Sequence, residues 1–397
     1  MTALPPRFDA TAPDVLDDPY PTYARLRDAG PLCRCGPGTW GVTRYADVAR
    51  LLGDRRLANG PRDRDRARSP YGGGPADGLL AHMLSGRRAP DHTRLRALLG
   101  VISTPAAAHA RRAGLRAHVA DLLAPGRDGA VVDAVADVAF PLQARLIGDV
   151  VGLPAEVRAV VWPDALRLGR VFIPYAVPTP AQVAEADRLT TALREAVGGL
   201  LAERRARPRG DLLSVLAHSD VPHEDAVDNV VFLLFAGFET TMNVIGSAFA
   251  VLSAHPGQFA RLTADPGLVG SAADELLRYD PPAQYTVRLT EEPVEVGDRV
   301  VREGRMVLLM LGSANRDGAR FDRPDEFDVT RLPNPHVAFG GGPHHCLGRV
   351  LGRVEVECVL DVLARGATEL RPARPARRLA HPNFRAHTTV PVTLVPR

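Results

Sequence analysis

Cys346 lies in the stretch of the chain most suited to metal chemistry. Residues 339–348 read F-G-G-G-P-H-H-C-L-G, so one thiol follows a glycine-rich turn and precedes an apolar, helix-like run. Glycine allows the backbone to approach where a Cβ would clash, and N–H groups of a tight turn and a helix N-terminus stabilise a thiolate. The pattern predicts a metal-binding thiolate. The alternatives are a buried structural cysteine, or a zinc ligand together with His345, for which no other ligand cluster lies near.

A polar island interrupts the longest apolar segment. Residues 223–255 predict one long helix, and residues 236–241 within it read A-G-F-E-T-T. An acid and hydroxyls in mid-helix need solvent or local backbone partners, and a mid-helix glycine costs about 1 kcal/mol relative to alanine. Glycine, an acid and hydroxyls are each unfavourable in mid-helix, and their occurrence together indicates a functional site. The alternative is a buried, capped polar patch at a kink.

Glu275 and Arg278 form an E-x-x-R pair on the next predicted helix. An i, i+3 pair lies on one helix face, where by itself it predicts a surface salt bridge of little stability. Only the position of the pair, between the polar island and Cys346, indicates a role beyond a surface salt bridge.

Taken together, these motifs closely resemble the cytochrome P-450 family. Its haem-ligand loop has Phe, then Gly, a basic residue, Cys and Gly, and its long helix carries A/G-Gly-x-Asp/Glu-Thr-Thr. The family's E-x-x-R pair also precedes the cysteine by about 70 residues. The loop pattern corresponds here to Phe339, Gly342, His344, Cys346 and Gly348, and the resemblance adds Gly340 to the loop residues that contact haem.

The resemblance assigns chemistry to the loop and the helix. Cys346 would be the axial ligand of haem b iron, a ligand that favours O–O cleavage. Ala236 and Gly237 would lie beside the haem, with Gly237 leaving room for dioxygen. Thr240 would hydrogen-bond the oxygen or its water, and Glu239 would relay protons from solvent. Glutamate in place of aspartate adds a methylene to that relay.

The resemblance also assigns the haem propionates and the ion pair. His92 and Arg96, at i, i+4 on one helix, would bind one propionate, while Arg288 and His344 would bind the other, because carboxylates in a low dielectric need such partners. Each residue considered singly is more often a surface group.

Glu275 and Arg278 would be buried structural supports of the ligand loop. Where many family members carry a third basic partner, this chain has Glu326, which leaves Arg316 and Arg331 as candidates.

A substrate pocket would be lined by the 70–84 loop, the 171–181 link, the long helix, the strand near 283–287 and residues 387–389. The individual pocket residues implied are Phe232, Leu233, Ala236, Ala283, Tyr285, Val287 and Thr388. Their mixed character suits a medium-to-large secondary metabolite and names no substrate.

The elements that must position these residues are mostly helical. The pattern predicts helices at 20–29, 45–52, 92–102, 105–123, 131–151, 155–168, 181–207, 223–255 and 266–279. Strands are predicted at 40–43, 284–289, 294–296, 300–301, 306–311 and 388–394. Residues 59–89 show little periodicity and predict a lid or a disordered segment. The fold class is mainly α with a small β portion, as in the cytochrome P-450 fold, a helix-rich triangular prism with haem between the long central helix and the cysteine loop. One haem domain would span 1–397.

Composition limits the function classes. The chain has 397 residues, 45% of them hydrophobic, and a net charge of +3, which gives no case for nucleic acid or membrane partners. Four cysteines exclude a disulfide scaffold. Cys33 and Cys35 lack a second pair for zinc and predict ordinary reduced thiols, and Cys358 predicts core packing. With neither a signal peptide nor an apolar run of about 20 residues, we expect a soluble, cytoplasmic monomer.

The leading functional hypothesis is a haem-thiolate monooxygenase. It would insert one atom of O2, by hydroxylation or epoxidation, into a metabolite such as a polyketide, macrolide or peptide. Electrons would come from NAD(P)H through a reductase and a ferredoxin. The alternatives are oxidative C–C or C–N coupling, peroxide-driven oxidation, or a degenerate, non-catalytic partner protein. The intact Glu239–Thr240 pair favours dioxygen activation.

Overall fold

The structure, a computed structural model, describes residues 4–59, 71–172 and 178–397, which fall into two compact units. The first, which we call the sheet unit, comprises Met1–Ala58, His109–Phe140 and Thr240–Arg397. The second, the helical unit, comprises Asn59–Ala108 and Pro141–Glu239. The boundary between residues 239 and 240 falls within one continuous helix.

The predicted predominance of helix is confirmed. The α-helices of the described residues are α1 (Pro13–Asp17), α2 (Tyr20–Ala29), α3 (Tyr45–Leu51), α4 (Pro75–His82), α5 (Asp91–Leu99), α6 (Pro105–Ala110), α7 (Arg112–Arg127), α8 (Phe140–Val151), α9 (Ala155–Val171), α10 (Pro180–Ala206), α11 (Leu212–Ala217), α12 (His223–Ala254), α13 (Pro256–Ala264), α14 (Val269–Tyr279), α15 (Leu311–Ala314) and α16 (Arg349–Gly366).

All strands of the described residues belong to the sheet unit. They are β1 (Leu32–Gly36), β2 (Thr39–Val42), β3 (Leu57–Ala58), β4 (Val132–Asp133), β5 (Thr286–Thr290), β6 (Val294–Val296), β7 (Arg299–Val301), β8 (Met306–Leu309), β9 (Ala367–Pro372), β10 (Arg377–Arg378), β11 (His387–Thr389) and β12 (Pro391–Pro396). A five-stranded sheet has the order β1-β2-β8-β5-β3, a three-stranded sheet the order β4-β12-β9, and β6-β7 and β10-β11 form two-stranded pairs.

The five-stranded sheet forms one core of the sheet unit. Strand β2 pairs in parallel with β8, with Gly41 opposite Leu308, and β5 pairs antiparallel to β8, with Arg288 opposite Val307. Apolar side chains from this sheet and from α3 pack into one buried cluster that includes Leu32, Val42, Val48, Leu51, Val307, Leu309 and Val337. The segment just before the cysteine loop is therefore anchored in the same core, through Val337.

The helical unit is organised around α10. This helix begins with a capping box in which Thr179 and Gln182 bond reciprocally. Its apolar face packs on α9, α11 and α4, and the buried leucines Leu189, Leu193, Leu200 and Leu201 follow helical spacing along it.

One helix, α12, is long and apolar enough to cross a membrane by length and composition alone. Most of its apolar window is buried within the protein, and the helix contains the buried ionisable residues Asp228 and Glu239. These properties are those of a core helix of a globular protein.

Several predicted elements differ from the structure. The predicted helix 131–151 begins instead with β4 and a π-helical turn, Ala134–Ala139, because Val132 pairs with Val392 and Asp133 accepts a bond from the Val135 N–H. The predicted strand 388–394 is two strands, β11 and β12. Strand β1 and helix α4 were not predicted, and residues 60–70 of the predicted lid lie outside the described residues.

Candidate functional site

The loop that carries Cys346 is shaped by glycines in left-handed backbone conformations. Gly340 and Gly342 have φ values of 68° and 65°, a region open to glycine at no steric cost. The loop closes where the Cys346 N–H donates to the Phe339 carbonyl at 2.8 Å. Cys346 is exposed, and α16 begins three residues later, so the loop presents a thiol at its surface just before a helix.

The same loop packs closely on the end of α3. A Cβ at Gly342 would lie 2.5 Å from the Leu52 carbonyl oxygen and 2.8 Å from the Cα of Gly53, and a Cβ at Gly341 would lie 3.1 Å from Leu52 Cβ. Backbone cannot move aside as a flexible side chain can. Glycine is therefore required at position 342 for two reasons: the backbone there has a positive φ, and the backbone of Leu52 and Gly53 leaves no room for a Cβ.

The segment that leads into the loop is held by buried polar contacts. The Asn315 side-chain oxygen accepts from the Val337 N–H at 2.8 Å, and Tyr45 donates its hydroxyl proton to the Pro335 carbonyl at 2.7 Å. Because Asn315 follows α15, this bond ties the loop's approach to the end of the five-stranded sheet.

Glu275 and Arg278 are fully buried and form a two-bond ion pair. Arg278 Nε donates to Glu275 Oε2 at 2.7 Å and Arg278 Nη2 donates to Oε1 at 2.8 Å. The guanidinium also donates to the carbonyls of Asn315, Pro324 and Glu326 at 2.6–2.9 Å. A buried charge is tolerated when its hydrogen-bonding capacity is filled, and here every direction of the guanidinium fork is used.

Arg331, one of the two candidates, is the third partner of this pair. Its Nε lies 3.1 Å from Glu275 Oε2, and the carboxylate also accepts from the Asp328 N–H and the Asn334 side chain. Arg316, the other candidate, stacks instead between aromatic rings, 4.0 Å from the Tyr20 centroid and 3.8 Å from that of Tyr279. The two arginines thus have separate structural roles.

Arg288, a predicted propionate partner, is a buried cation on β5. Its side chain donates to Thr286 Oγ1 and to the Val287 carbonyl, both at 2.9 Å, and the structure records no carboxylate paired with it among the described residues. Burial lowers its pKa to about 10, so the guanidinium stays charged at neutral pH. A carboxylate ligand would supply the missing anion.

Thr240 and Thr241 place the polar island beside the helix that follows the loop. Both are half-buried, and a Cβ at Gly352 of α16 would lie 3.6 Å from Thr241 Oγ1. The helix runs unbroken through residues 236–241. Thr241 therefore lies next to α16, the helix that follows the cysteine loop.

Glu239 is buried with few polar partners. Arg170, at the end of α9, places its Nε 3.4 Å from Glu239 Oε1, and the arginine side chain is 46% exposed. Desolvation raises the pKa of Glu239, and the charge of Arg170 opposes that rise without cancelling it. Nothing in the sequence signalled Arg170, because it lies 69 residues away on another helix.

The space beside Gly237 is open to a small side group. Outside the backbone of α12, the described residues place one atom within 4 Å of a Cβ added there, Ile147 Cδ1 at 3.4 Å. The half-buried Ala236 precedes it on the same helix. This part of α12 is therefore loosely packed by comparison with Gly342.

His92 and Arg96 lie on α5, as predicted, with His92 buried and Arg96 half-buried. Burial, and then the charge of Arg96, lower the pKa of His92. The imidazole is therefore neutral at pH 7. In that form it offers an N–H donor.

The predicted pocket residues are dispersed in burial. Phe232, Leu233, Ala236, Ala283 and Val287 are half-buried, Tyr285 is buried and Thr388 is exposed. The Tyr285 hydroxyl donates to the Pro382 carbonyl at 2.9 Å, which removes it as a free polar contact. Residues 173–177 of the predicted link, and residue 70, lie outside the described residues.

An aromatic cluster in the helical unit was not predicted. Phe232 and Phe235 of α12 have ring centroids 5.6 Å apart, Phe172 lies 5.9 Å from Phe235, and Tyr71 lies 5.3 Å from Phe172. Its members come from three separate stretches, so no local pattern could reveal it. These tilted and edge-on ring pairs form an apolar cluster next in sequence to Ala236 and Gly237.

Comparison with known proteins decides the family. The family model "Cytochrome P-450" matches residues 268–365. The cytochrome P-450 monooxygenase PikC of Streptomyces venezuelae is 33% identical over 401 residues, which cover 96% of this chain and 92% of PikC. The chain belongs to the cytochrome P-450 family. It is a cytochrome P-450 monooxygenase, of the class that holds haem iron through a cysteine thiolate and uses O2.

Solved structures agree on the fold. The crystal structure of CalO2 matches with a TM-score of 0.91 and 32% identity, covering 98% of this chain and 99% of CalO2. Epothilone B-bound cytochrome P450epoK matches with a TM-score of 0.86 and 30% identity, covering 98% of this chain and all of that one. The predicted cytochrome P-450 fold is confirmed.

The residues present fit haem on two independent grounds. Cys346 is an exposed thiol on a loop that only glycines can build, and Arg288 is a buried cation with no carboxylate recorded beside it in the described part of the chain. The Cys346 thiol is suited to bind iron, and the Arg288 guanidinium is suited to pair with a haem propionate.

Proposed function

We propose that this chain is a soluble, cytoplasmic, ferredoxin-dependent monooxygenase of secondary metabolism. It would act as a monomer, with residues 1–397 serving as one haem domain, and would insert one atom of O2 into a medium-to-large metabolite such as a polyketide, macrolide or peptide. The observation that carries this proposal is Glu239, a buried carboxyl of raised pKa directly before a half-buried hydroxyl, Thr240, in an unbroken helix.

Haem held by Cys346 would supply oxygen activation and electron transfer. The side chains of the protein would deliver the protons. The raised pKa lets Glu239 hold a proton nearer neutral pH than an exposed glutamate does, and such a match favours proton transfer. Arg170 reaches solvent and contacts Glu239, so it marks the side from which protons would arrive. Thr240 would pass the proton on by a hydrogen bond from its hydroxyl.

Other residues would bind and orient the cofactor. Arg288 would pair with one propionate by charge, with His344 beside it, and Arg96 with the other, while His92 would donate a neutral N–H bond to the same group. Phe339, Gly340 and Gly348 would shape the loop around the ligand sulfur. The Arg288 side chain is already held by its bonds to Thr286 and the Val287 carbonyl, which limits the entropy lost on binding.

A large apolar substrate is supported by two observations. The aromatic cluster of Tyr71, Phe172, Phe232 and Phe235 offers rigid apolar surface, and the matched P450epoK structure holds epothilone B. We propose that Phe232, Leu233, Ala236, Ala283 and Val287 line the site.

Carbon monoxide binding tests the assignment of Cys346. The reduced protein should give the strongly red-shifted Soret band of a thiolate-ligated haem with carbon monoxide. Cys346→Ala should abolish that band, whereas Cys358→Ala, which removes a buried thiol of α16, should retain it. A folded wild-type protein without the band would overturn the proposal.

Labelled dioxygen tests the reaction type. With a ferredoxin, a ferredoxin reductase and NADPH, the product should contain one oxygen atom from 18O2. A product that lacks the label, formed by joining two carbon or nitrogen centres, would instead establish oxidative coupling. Formation of the product with peroxide alone, at the same rate, would remove the need for Glu239 and Thr240.

A further inference from the structure

Three sulfur atoms converge at one end of the five-stranded sheet, although the sequence suggested only two unremarkable thiols. Cys33 Sγ lies 3.9 Å from Cys35 Sγ and 4.0 Å from Met310 Sδ. The two cysteines belong to β1, and Met310 directly follows β8, nearly 280 residues later in the chain. Cys33 and Met310 are fully buried, whereas Cys35 is partly exposed.

Gly41 makes this convergence possible. It pairs with Cys33 in the register of β1 and β2. A Cβ at Gly41 would lie 2.5 Å from Cys33 Sγ, 3.0 Å from Cys35 Sγ and 3.1 Å from Met310 Sδ. Any other residue would force the sulfurs apart. The irregularity between Arg34 and Gly36 gives β1 the local freedom to turn Cys35 toward the others.

The spacing is that of a three-coordinate sulfur site. A first-row d10 ion with metal–sulfur bonds of about 2.3 Å, at the centre of a planar triangle, separates its ligands by about 4.0 Å. The two sides of the triangle that meet at Cys33 Sγ, 3.9 Å and 4.0 Å long, agree with this value. Thiolate and thioether donors select soft ions, Cu(I) foremost. Zinc favours four ligands and seldom uses methionine, and the described residues contain no group of three His, Cys, Asp or Glu suited to a metal.

We propose that Cys33, Cys35 and Met310 form a binding site for one soft monovalent cation, represented by Cu(I). On binding, the two cysteine thiols each release a proton to solvent and form metal–sulfur bonds, while Met310 donates a lone pair and releases nothing. No oxidation state changes, so neither oxidant nor reductant is needed. The partly exposed Cys35 provides the path for entry.

This site is separate in the chain from Cys346 and does not depend on the proposed oxygenase function. The ion would tie β1 to the end of β8 across β2. Binding to the folded state alone would stabilise that state, so the melting temperature should rise with Cu(I) and the carbon monoxide spectrum should not change.

A chelator competition tests the proposal. The haem-loaded full-length protein is reduced with a phosphine, desalted without oxygen, and titrated with Cu(I) in the presence of bicinchoninate. One equivalent of Cu(I) per chain should be withdrawn from the chelator, and X-ray absorption should show three sulfur neighbours. The Cys33→Ser/Cys35→Ser variant should lose this binding. Met310→Leu, which nearly preserves volume, should weaken it about tenfold or more.

Cys358→Ser is the matched control, since it removes a buried thiol from α16 and should leave Cu(I) affinity unchanged. Zinc should fail to displace Cu(I). Absence of retained copper in the wild type would overturn the proposal, as would an equal loss in Cys358→Ser. If the double serine variant does not fold, Met310→Leu decides the matter, because unchanged affinity and two sulfur neighbours would exclude a three-sulfur site.

Discussion

Glu275 and Glu239 are both buried, yet the fold treats them in opposite ways. Glu275 accepts two bonds from Arg278 and further bonds from Arg331, Asn334 and the Asp328 N–H. Among the residues that the structure describes, Glu239 has one long polar contact, from the half-exposed Arg170, and desolvation raises its pKa. One carboxylate is enclosed in a network of hydrogen-bond donors, whereas the other is buried beside a single half-exposed arginine and has a raised pKa.

The difference separates structural support from chemistry. Partners that fill every lone pair of a carboxylate fix its charge and its position, so it can stabilise a fold but cannot relay protons. A carboxyl with few partners costs stability, and a protein retains such a cost mainly where the group does work. The comparison predicts that the two glutamates respond differently to the loss of their charge or their partner.

Arg278→Leu should have the largest effect. It leaves Glu275 buried with only part of its network and also leaves the carbonyls of Asn315, Pro324 and Glu326 without their donor. Removing one partner of a buried pair costs about 3–5 kcal/mol, measurable as a lower urea midpoint. The matched control is Arg323→Leu, since Arg323 pairs with Glu326 at the same i, i+3 spacing but on the surface. The Arg323→Leu variant should lose at most about 1 kcal/mol of unfolding free energy. Equal losses in the two variants would show that the buried pair is no more important for stability than the surface pair.

Glu239→Gln should not destabilise the protein at neutral pH and should reduce turnover about 100-fold, the usual share of a positioned proton donor. Because the folded state raises the pKa of Glu239, it binds more protons than the unfolded chain between the two pKa values. Wild-type stability contributed by this group therefore falls as pH rises above about 4.

The glutamine side chain does not ionise, so the variant does not lose unfolding free energy in this way as the pH rises. Its stability relative to wild type should therefore increase with pH up to the folded pKa of Glu239. Urea unfolding between pH 4 and pH 8 measures the trend, and oxygen consumption measures turnover. A glutamine variant less stable than wild type at pH 8 by over 1 kcal/mol would mean that the charge of Glu239 is stabilising after all.

Arg331→Leu should cost about 2 kcal/mol, within the range for hydrogen bonds to charged groups. A double-mutant cycle with Glu275→Gln should show coupling, because Arg331 contacts that carboxylate. Arg316→Leu combined with the same glutamine change should be additive, because Arg316 stacks on Tyr20 and Tyr279. If Arg316 and not Arg331 were coupled to Glu275, Arg331 would not be the third partner of the buried pair.

Sequence patterns predicted what is local and missed what the fold assembles. The cysteine loop, the polar island of α12 and the Glu275–Arg278 pair each occupy a few neighbouring residues, and all were found. The choice of Arg331 over Arg316 could not be made, because both lie in irregular chain between α15 and the loop. Arg170 was missed for the same reason, since its contact with Glu239 joins two helices.

The elements show the same limit. Residues 131–151 have helical spacing throughout, but the pairing of Val132 with Val392 overrides that propensity at the start. The sulfur cluster depends on a register that places Gly41 opposite Cys33. Neither feature is present in any single stretch of sequence.

Arg170→Leu should have the smallest effect and gives the sharpest test of Glu239. Arg170 lowers the pKa of Glu239 against the larger effect of burial, so its removal should raise that pKa further. An arginine this exposed contributes only about 0.2–1 kcal/mol, so the upward movement should be small. Glu239 then keeps its proton to higher pH, and the limb of the turnover profile that reports Glu239 should move upward. Arg170→Lys should move it less, and added salt should move the wild-type limb but not that of the leucine variant. A limb that moves downward would show that Arg170 does not act on Glu239 through its charge.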